Sequence, residues 1–230
     1  MKHRIAFLTV LLFTLLVCNV SICTGLPSEA PITIRVPTDK NTIKKAIEAA
    51  GPSDVIGLAD GTYTITEPLI VDKSVVIRSE HSADDVTIFL NDAYGGDTEV
   101  IKITADFAVI DDITVEGNSA NLNSVIDVEA DYCQVSYCVI QNSVWTRNGI
   151  LALSSTGTDI SYNEIIEAGP TGAGIMLSSC IDCTVNDNYI HDISDYDGID
   201  LTFCEDVLIE SNILQMQEME CISPILMIIE

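Results

Sequence analysis

Apolar and polar positions repeat along the second half of the chain with a period close to 25 residues. Five segments carry the same short alternation: AVIDDITVEGN, CQVSYCVIQNS, TDISYNEIIEA, CTVNDNYIHDI and DVLIESNILQM. One position is apolar in every segment: Ile110, Val135, Ile160, Val185 and Ile209. Alternation with a period of two over a few residues predicts short β-strands.

A second apolar series lies between these segments, in SVIDVE, NGILAL, AGIMLS and DGIDLT. It aligns four isoleucines: Ile126, Ile150, Ile175 and Ile199. Short strands at a fixed period, without helices between them, predict stacked coils that share one apolar core and pair in parallel. We therefore expect an all-β fold, a right-handed parallel β-helix of about eight coils.

Asparagine forms a polar series in the same register. Asn163, Asn188 and Asn212 each stand three residues after the shared apolar position, and Cys138 occupies the equivalent place one coil earlier. Asparagine tolerates a left-handed backbone, so we expect these residues at bends. Stacked amides can hydrogen-bond along the axis, which predicts a structural asparagine ladder with Cys138 as a buried thiol.

The segment 41–50 has helical spacing instead, with apolar residues at Ile43, Ala46 and Ile47. Asn41 or Thr42 can cap its start, and a Gly-Pro pair follows it. Because the first coil of a solenoid needs a cover, we interpret this helix as the N-terminal cap. Strand-like segments follow at 54–59, 62–65, 69–71, 74–78 and 85–90.

The N-terminus has a basic start and then an apolar run over 5–20. This layout predicts a secretory signal peptide at residues 1–25, followed by one domain at 26–230. A permanent N-terminal anchor is the alternative, since the run is long enough to cross much of a bilayer. No other segment predicts a membrane span, so we expect a secreted or cell-surface protein.

Acids outnumber bases by 35 to 10, for a formal net charge of −25, and no Lys or Arg follows Arg147. Nucleic acid is excluded as a partner because it needs a basic surface. An acidic polysaccharide would need bridging cations such as Ca²⁺, which prefers oxygen ligands. The acids also serve solubility, and no cofactor is predicted beyond this role for Ca²⁺.

The opening TIKKAIEAAGPSDVIGLADGTYTI, with LIVDKSVVIRS after it, resembles right-handed parallel β-helix proteins of the pectin-lyase-like superfamily. The later coils, with GIxL and then V/I-x-x-N-x-I, resemble the generic repeats of the same group. The resemblance covers about residues 32–214. It implies the fold and leaves the activity open, because lyases, hydrolases, epimerases, phage tailspikes and non-enzymatic surface proteins share this scaffold.

The stretch DYDGIDLTFCEDVLIESNI resembles the Asn-Thr-Asp-Gly-x-Asp motif of polygalacturonase-like glycoside hydrolases. The resemblance implies that Asp197 is the first catalytic aspartate and that Asp200 is also part of the site. The later Asp-Asp pair falls near Glu218 and Glu220, and no Gly-His-Gly or Arg-x-Lys follows. Asp197 and Asp200 remain candidate catalytic residues of a two-carboxylate site.

A structural interpretation of the same stretch competes with catalysis. Gly198 matches Gly149 and Gly174 of the preceding coils, so Gly-Ile belongs to the repeat. Only the two aspartates are additions to it.

The outward positions of this strand series predict a ligand-facing row. With the isoleucines inward, Asp127, Leu151, Met176 and Asp200 point outward. Two neighbouring exposed apolar residues indicate a sugar-binding face, a covering loop or a protein partner.

His191 is a further candidate for the ligand-facing set. It precedes Asp192, Asp195 and Asp197, an arrangement that fits a cation site, an acid–base group or, as we favour, a polar turn. The turn at 91–97 has the same ambiguity. Four aromatic residues in or near turns, Tyr137, Trp145, Tyr162 and Tyr196, can stack either on sugars or on each other.

Six cysteines follow residue 25. Cys180-x-x-Cys183 has the spacing of a metal or redox pair. The repeat instead places Cys180 beside Cys204 of the adjacent coil, within range of a disulfide that a secreted protein permits. A zinc site is not predicted, because no fourth ligand is well placed.

The chain closes on the apolar segment CISPILMIIE rather than on a polar cap. We expect association through the uncovered last coil, or a shortened relative of a longer protein. The leading prediction is a β-helix module that binds polysaccharide or another surface component. The alternatives are a polysaccharide-degrading hydrolase or lyase and an inactive fragment.

Overall fold

The computed structural model describes residues 30–91, 98–117, 122–142, 147–166, 172–193 and 197–216. All of them except Ala30 belong to a compact unit that begins at Pro31. The predicted leader and the apolar final segment lie outside these ranges. So do several residues named above: Trp145, Asp195, Tyr196, Glu218, Glu220, Cys221 and most of the turn at 91–97. Across the described ranges, no helix is long and apolar enough to cross a membrane.

The described chain is built almost entirely of short strands. It contains one α-helix, α1 (Ile43–Ala49), and one 3₁₀ turn (Ala83–Asp85). The strands in chain order are β1 (Thr33–Val36), β2 (Val55–Leu58), β3 (Gly61–Ile65), β4 (Leu69–Val71), β5 (Val76–Ser79), β6 (Val86–Leu90), β7 (Thr98–Ile103), β8 (Val109–Asp111), β9 (Thr114–Gly117), β10 (Leu122–Val128), β11 (Gln134–Ser136), β12 (Val139–Asn142), β13 (Asn148–Leu153), β14 (Asp159–Ser161), β15 (Glu164–Ile166), β16 (Ile175–Ser178), β17 (Thr184–Asn186), β18 (Tyr189–Ile193), β19 (Ile199–Thr202), β20 (Leu208–Glu210) and β21 (Ile213–Met216).

Successive strands join three different sheets in turn, which makes the fold a parallel β-helix. The eight-stranded sheet has the order β1-β2-β5-β8-β11-β14-β17-β20. The six-stranded sheet runs β4-β7-β10-β13-β16-β19, and the seven-stranded sheet runs β3-β6-β9-β12-β15-β18-β21. In the described chain about six coils carry all three strands, rather than the eight expected, because α1 replaces strands in the first coil and the last ends at β21.

The predicted apolar series are confirmed as rows of the core. Val135 pairs with Ile110 on one side and with Ile160 on the other. In the second series Ile150 pairs with Ile126 and with Ile175. All six side chains are buried. Burial of such rows provides the main stabilisation of the solenoid, because each coil buries its inner face only against its neighbours.

The predicted N-terminal cap is also confirmed. The side chain of Thr42 accepts a hydrogen bond from the backbone N–H of Lys45, which satisfies one free donor of the first helical turn. Ile43, Ala46 and Ile47 are buried. The helix packs against β1, β2 and β4, so its apolar face covers the first coil of the core.

The asparagine ladder is confirmed atom by atom. Asn188 Oδ1 accepts hydrogen bonds from the backbone N–H and from Nδ2 of Asn163, both at 3.0 Å. Asn212 Oδ1 accepts the same two bonds from Asn188, at 3.0 and 2.9 Å. Cys138 ends the ladder as a buried thiol whose backbone N–H donates to Asn163 Oδ1 at 3.0 Å.

The expected left-handed backbone at the asparagines is wrong by one residue. The positive φ angles belong to the residues just before the ladder, among them Tyr137 (52°), Tyr162 (57°) and Asp187 (54°). The bend turns the next side chain into the interior. There its amide oxygen accepts a hydrogen bond from a backbone N–H of the preceding coil, which would otherwise be buried without a partner.

Candidate functional site

A groove of about 600 Å³ runs along the outer face of the six-stranded sheet. Its centre is formed by β13 and β16, and its edge by the residues just before those strands. The lining residues are Asn123, Arg147, Asn148, Leu151, Leu153, Gly172, Ala173, Met176, Ser178, Asp197 and Asp200. The groove therefore contains both aspartates singled out from the sequence, together with an arginine.

The predicted outward row exists. Strand pairing places five residues side by side in the order Lys102, Asp127, Leu151, Met176 and Asp200. The expectation that Leu151 and Met176 are both exposed is wrong. Leu151 is only 3% exposed and Met176 is half-buried, because they form the floor of the groove beneath its rim.

Asp197 and Asp200 lie at one end of this groove. Asp197 is exposed and Asp200 is half-buried. A Cβ added at Gly198 between them would come within 2.6 Å of the Leu214 side chain, so this glycine packs closely against the following strand. The motif thus combines a structural Gly-Ile with two acids that face the groove.

Arg147 is the groove residue that sequence reasoning missed. It precedes β13, whereas the resemblance to hydrolases led us to look for a base after Asp200. The sequence could have indicated it, because Arg147 directly precedes NGILAL. That segment belongs to the same strand series as DGIDL, two coils earlier. The groove lining consequently contains one guanidinium and two carboxylates.

Asp127 is buried, with 3% exposure. Although it was expected in the ligand-facing row, it is not among the residues that line the groove. Its Oδ2 lies 3.8 Å from Lys102 Nζ. The same Lys102 nitrogen lies closer to Glu129, at 2.7 Å. Asp127 Oδ1 and the nearby Ser124 Oγ have no hydrogen-bond partner in the described part of the chain. Burial, and secondarily the Glu129 charge, raises the pKa of Asp127 to about 6.

The spacing of the acids limits what they can do together. Asp127 and Asp200 are separated by three coils, which is roughly 14 Å at a strand spacing of about 4.8 Å. Glycoside hydrolases hold their two carboxyl groups about 5 to 9.5 Å apart. Among the described acids that line the groove, only Asp197 and Asp200 remain as a hydrolytic pair.

His191 does not face the groove. It lies on β18 of the seven-stranded sheet. Its Nε2 is 3.0 Å from Glu164 Oε1, its Nδ1 is 2.8 Å from Asp192 Oδ2, and its ring stacks on Tyr189. His191 is therefore not part of this groove, and both of its ring nitrogens are engaged by carboxylates on another face.

The exposed tyrosines stack on each other along the axis. The rings of Tyr137 and Tyr162 are 4.9 Å apart and almost parallel, and Phe107 stacks on Tyr132 in the same way. Tyr132 also lies directly over Gly157. These rings meet their neighbours in adjacent coils face to face, which favours a packing role over a platform for sugars.

Cys180 and Cys204 are free thiols in the structure, contrary to the predicted disulfide. Both sulfurs make equivalent contacts, Cys180 with the Ala152 carbonyl and Cys204 with the Leu177 carbonyl, each at 3.4 Å. Ala152 and Leu177 are strand partners, so the two thiols are translated copies of each other. Such copies are about 4.8 Å apart, whereas an S–S bond is about 2.05 Å.

In the described ranges no group of three or more His, Cys, Asp or Glu side chains is arranged to hold a metal ion.

Comparison with known proteins supports the fold. Neither the protein-family models nor the curated proteins give a match to this sequence. Among solved structures, ORF18 of Geobacillus virus E2 is similar with a TM-score of 0.53 and 10% identity, over 79% of this chain and 48% of the viral one. This chain thus spans about half of that protein.

Two further solved structures have lower scores. The Escherichia coli protein ybhc has a TM-score of 0.48 and 11% identity, over 82% of this chain and 73% of that one. Pectin methylesterase PemA from Erwinia chrysanthemi has a TM-score of 0.39 and 13% identity, over 75% and 66%. At these identities the likeness concerns the fold alone, which the strand order independently gives as a parallel β-helix.

Proposed function

We propose that this protein is a carbohydrate-binding β-helix module whose groove on the six-stranded sheet holds a polysaccharide chain. The observation that carries the proposal is the groove itself, with an apolar floor at Leu151 and Met176 and polar groups around it. A sugar ring has an apolar C–H face and a border of hydroxyls, and this combination matches such a groove.

Charge favours a neutral chain as the ligand. The groove presents Asp197 and Asp200 against Arg147, and the whole protein has a formal net charge of −25. This field repels a polyanion. An acidic polysaccharide would need Ca²⁺ to bridge carboxylates on both sides. The groove carboxylates instead offer hydrogen bonds to sugar hydroxyls.

We place this module outside the cell or on its surface, because the predicted leader at 1–25 has the layout of a signal peptide. Association of the last coil with another surface component belongs to the same proposal. Recovery of the processed chain from the medium or the cell envelope, with its N-terminus sequenced, tests the location.

The binding test measures affinity for a panel of neutral and uronic-acid polysaccharides, with and without Ca²⁺. We expect binding to a neutral chain that does not depend on Ca²⁺. Met176→Ala and Asp200→Asn should each weaken it about tenfold, equivalent to about 1.4 kcal/mol. Asp182→Asn, on an exposed turn outside the groove, is the matched control. Binding that is absent, or equal in groove variants and control, would refute the proposal.

Catalysis is the second candidate, favoured by the position of Asp197 and Asp200 at one end of the same groove. Hydrolysis or elimination would release new reducing ends from the bound polysaccharide. Asp197→Asn and Asp200→Asn should then both abolish release while leaving the fold intact. If the wild type releases no ends from a chain that it binds, the module is a binding protein only.

A further inference from the structure

The turn between β16 and β17 contains two buried thiols that face each other. Cys180 is 0% and Cys183 1% exposed, and only two residues separate them in the turn. Each sulfur also contacts a backbone carbonyl of the same or the preceding coil, Cys180 at Ala152 and Cys183 at Ile181. The pair lies in the core of the solenoid, away from the groove.

The preceding coil shows, independently, how close this turn brings its side chains. Ser155 and Thr158 occupy the same two positions, since Ile181 N–H donates to the Ser155 carbonyl and Thr184 N–H to the Thr158 carbonyl. Their hydroxyl oxygens are 2.5 Å apart. Side chains that meet at this distance lie within the range that a disulfide can join, with Cβ atoms about 3.5 to 4.5 Å apart.

The other cysteines of the described chain lack this relationship. Cys204 is a copy of Cys180 displaced by one coil, as shown above. Cys133 stands in the register of Cys183 two coils away, which is roughly 10 Å along the axis. Among the described cysteines, only Cys180 and Cys183 stand across a turn from each other rather than along the stack.

We propose that Cys180 and Cys183 are an oxidisable dithiol, which a small-molecule disulfide converts into a disulfide within the turn. The Cys183 thiolate attacks one sulfur of the small disulfide, forming a mixed disulfide and releasing one thiol. Cys180 then attacks the Cys183 sulfur and releases the second thiol as the protein S–S bond forms. Two electrons and two protons pass from the pair to the small molecule.

The electrostatics of the pair assign these two roles. The hydrogen bond from Cys180 lowers the pKa of Cys183 to about 7, although burial opposes the shift. The same contact, together with burial, raises the pKa of Cys180. A thiolate is the nucleophile in thiol–disulfide exchange, so Cys183 starts the reaction and Cys180 completes it.

Access determines when the reaction takes place. Cys204, which is half-buried, lies over Cys180 in the next coil. The thiols are therefore reachable before that coil packs or when it opens. We therefore expect the exchange to take place during refolding, before the coil that contains Cys204 packs over Cys180. The proposal does not depend on the proposed carbohydrate function.

The test refolds the reduced full chain in a buffer of reduced and oxidised glutathione, blocks free thiols with N-ethylmaleimide in denaturant, and maps the cysteines by mass spectrometry. We expect the peptide with residues 180 and 183 to be unblocked and 2 Da lighter than its reduced form. Cys133, Cys138 and Cys204 should be blocked.

The variants are chosen to fold. Cys180→Ser and Cys183→Thr, singly and together, reproduce the Ser155 and Thr158 pair that the chain already contains. Each should lower the fraction of oxidised turn at least tenfold, whereas Cys204→Ser should leave it unchanged. A bond between Cys180 and Cys204, or blocked thiols at both 180 and 183 in the refolded wild type, would overturn the proposal.

Discussion

Asp127 and Lys102 are strand partners on β10 and β7, yet the lysine forms its shorter ion pair with Glu129. The Asp127 carboxylate is therefore buried with a charge 3.8 Å away and with one oxygen that no described group satisfies. Such an acid destabilises the folded protein when it is ionised. Stability should consequently depend on the protonation of this one side chain.

The first prediction concerns pH. The pKa of Asp127 is raised from 3.8 to about 6 in the folded protein, so its favourable contribution is complete below pH 3.8 and is lost as pH rises through 6. Asp127→Asn should remove this loss, raising the free energy of unfolding relative to wild type by about 2 to 3 kcal/mol more at pH 7 than at pH 4. Urea unfolding at several pH values measures this. Asp182→Asn is the control, and parallel profiles for wild type and Asp127→Asn would contradict it.

The second prediction concerns the asparagine ladder. Asn188→Ala removes the acceptor for the buried N–H of Asn163 and breaks the contact with Asn212. A buried unpaired donor costs about 1 to 3 kcal/mol, so we expect a loss of about 3 kcal/mol in the free energy of unfolding. Asn186→Ala, two residues away and only half-buried, should cost less than about 0.5 kcal/mol. Equal losses in the two variants would show that the ladder does not stabilise the fold.

The third prediction concerns the glycine column. A Cβ at Gly174 would come within 2.6 Å of the Ile190 side chain and 2.7 Å of the Gly198 carbonyl oxygen. Because the carbonyl belongs to the next coil, it cannot move aside without disturbing strand pairing. Gly174→Ala should lower the free energy of unfolding by about 2 to 3 kcal/mol. At Gly51 the new Cβ has only an ordinary 3.5 Å contact, so Gly51→Ala serves as the control in the same urea titration.

The fourth prediction separates packing from sugar binding at the tyrosines. Both Tyr137 and Tyr162 have positive φ, so asparagine is the replacement that the backbone accepts. A double-mutant cycle with Tyr137→Asn and Tyr162→Asn should give a coupling energy of about 1 kcal/mol in unfolding experiments. Affinity for polysaccharide should stay unchanged in all three variants. A large loss of affinity without coupling would reassign the pair to ligand binding.

The rows of the core could be predicted from the sequence because strand pairing repeats the period of 25 residues, so that Val135, Ile160 and Val185 align on paper as they do in space. How deeply an outward side chain is buried could not be predicted from the sequence. Alternation tells that Leu151 points outward, but its burial depends on how the residues before β13 and β16 form the rim. Arg147 was missed for the same reason.

Side-chain direction accounts for the remaining differences. The repeat correctly aligned Cys180 with Cys204, but equal rotamers keep two aligned sulfurs one coil apart. The contact between residues 180 and 183 depends on the shape of a turn, which periodicity does not describe. The bend before Asn163 likewise falls on Tyr162, since the backbone changes direction before the amide enters the core.

Each coil is related to the next by the same translation, so equivalent positions recur at a constant spacing along the axis. Any side chain introduced at one place in the row from Asp127 to Asp200 has an equivalent place about 4.8 Å further along the axis. A duplicated coil would therefore lengthen the groove by about 4.8 Å without changing its cross-section. Ligand length, rather than ligand chemistry, is the property that such a scaffold can adjust in equal steps.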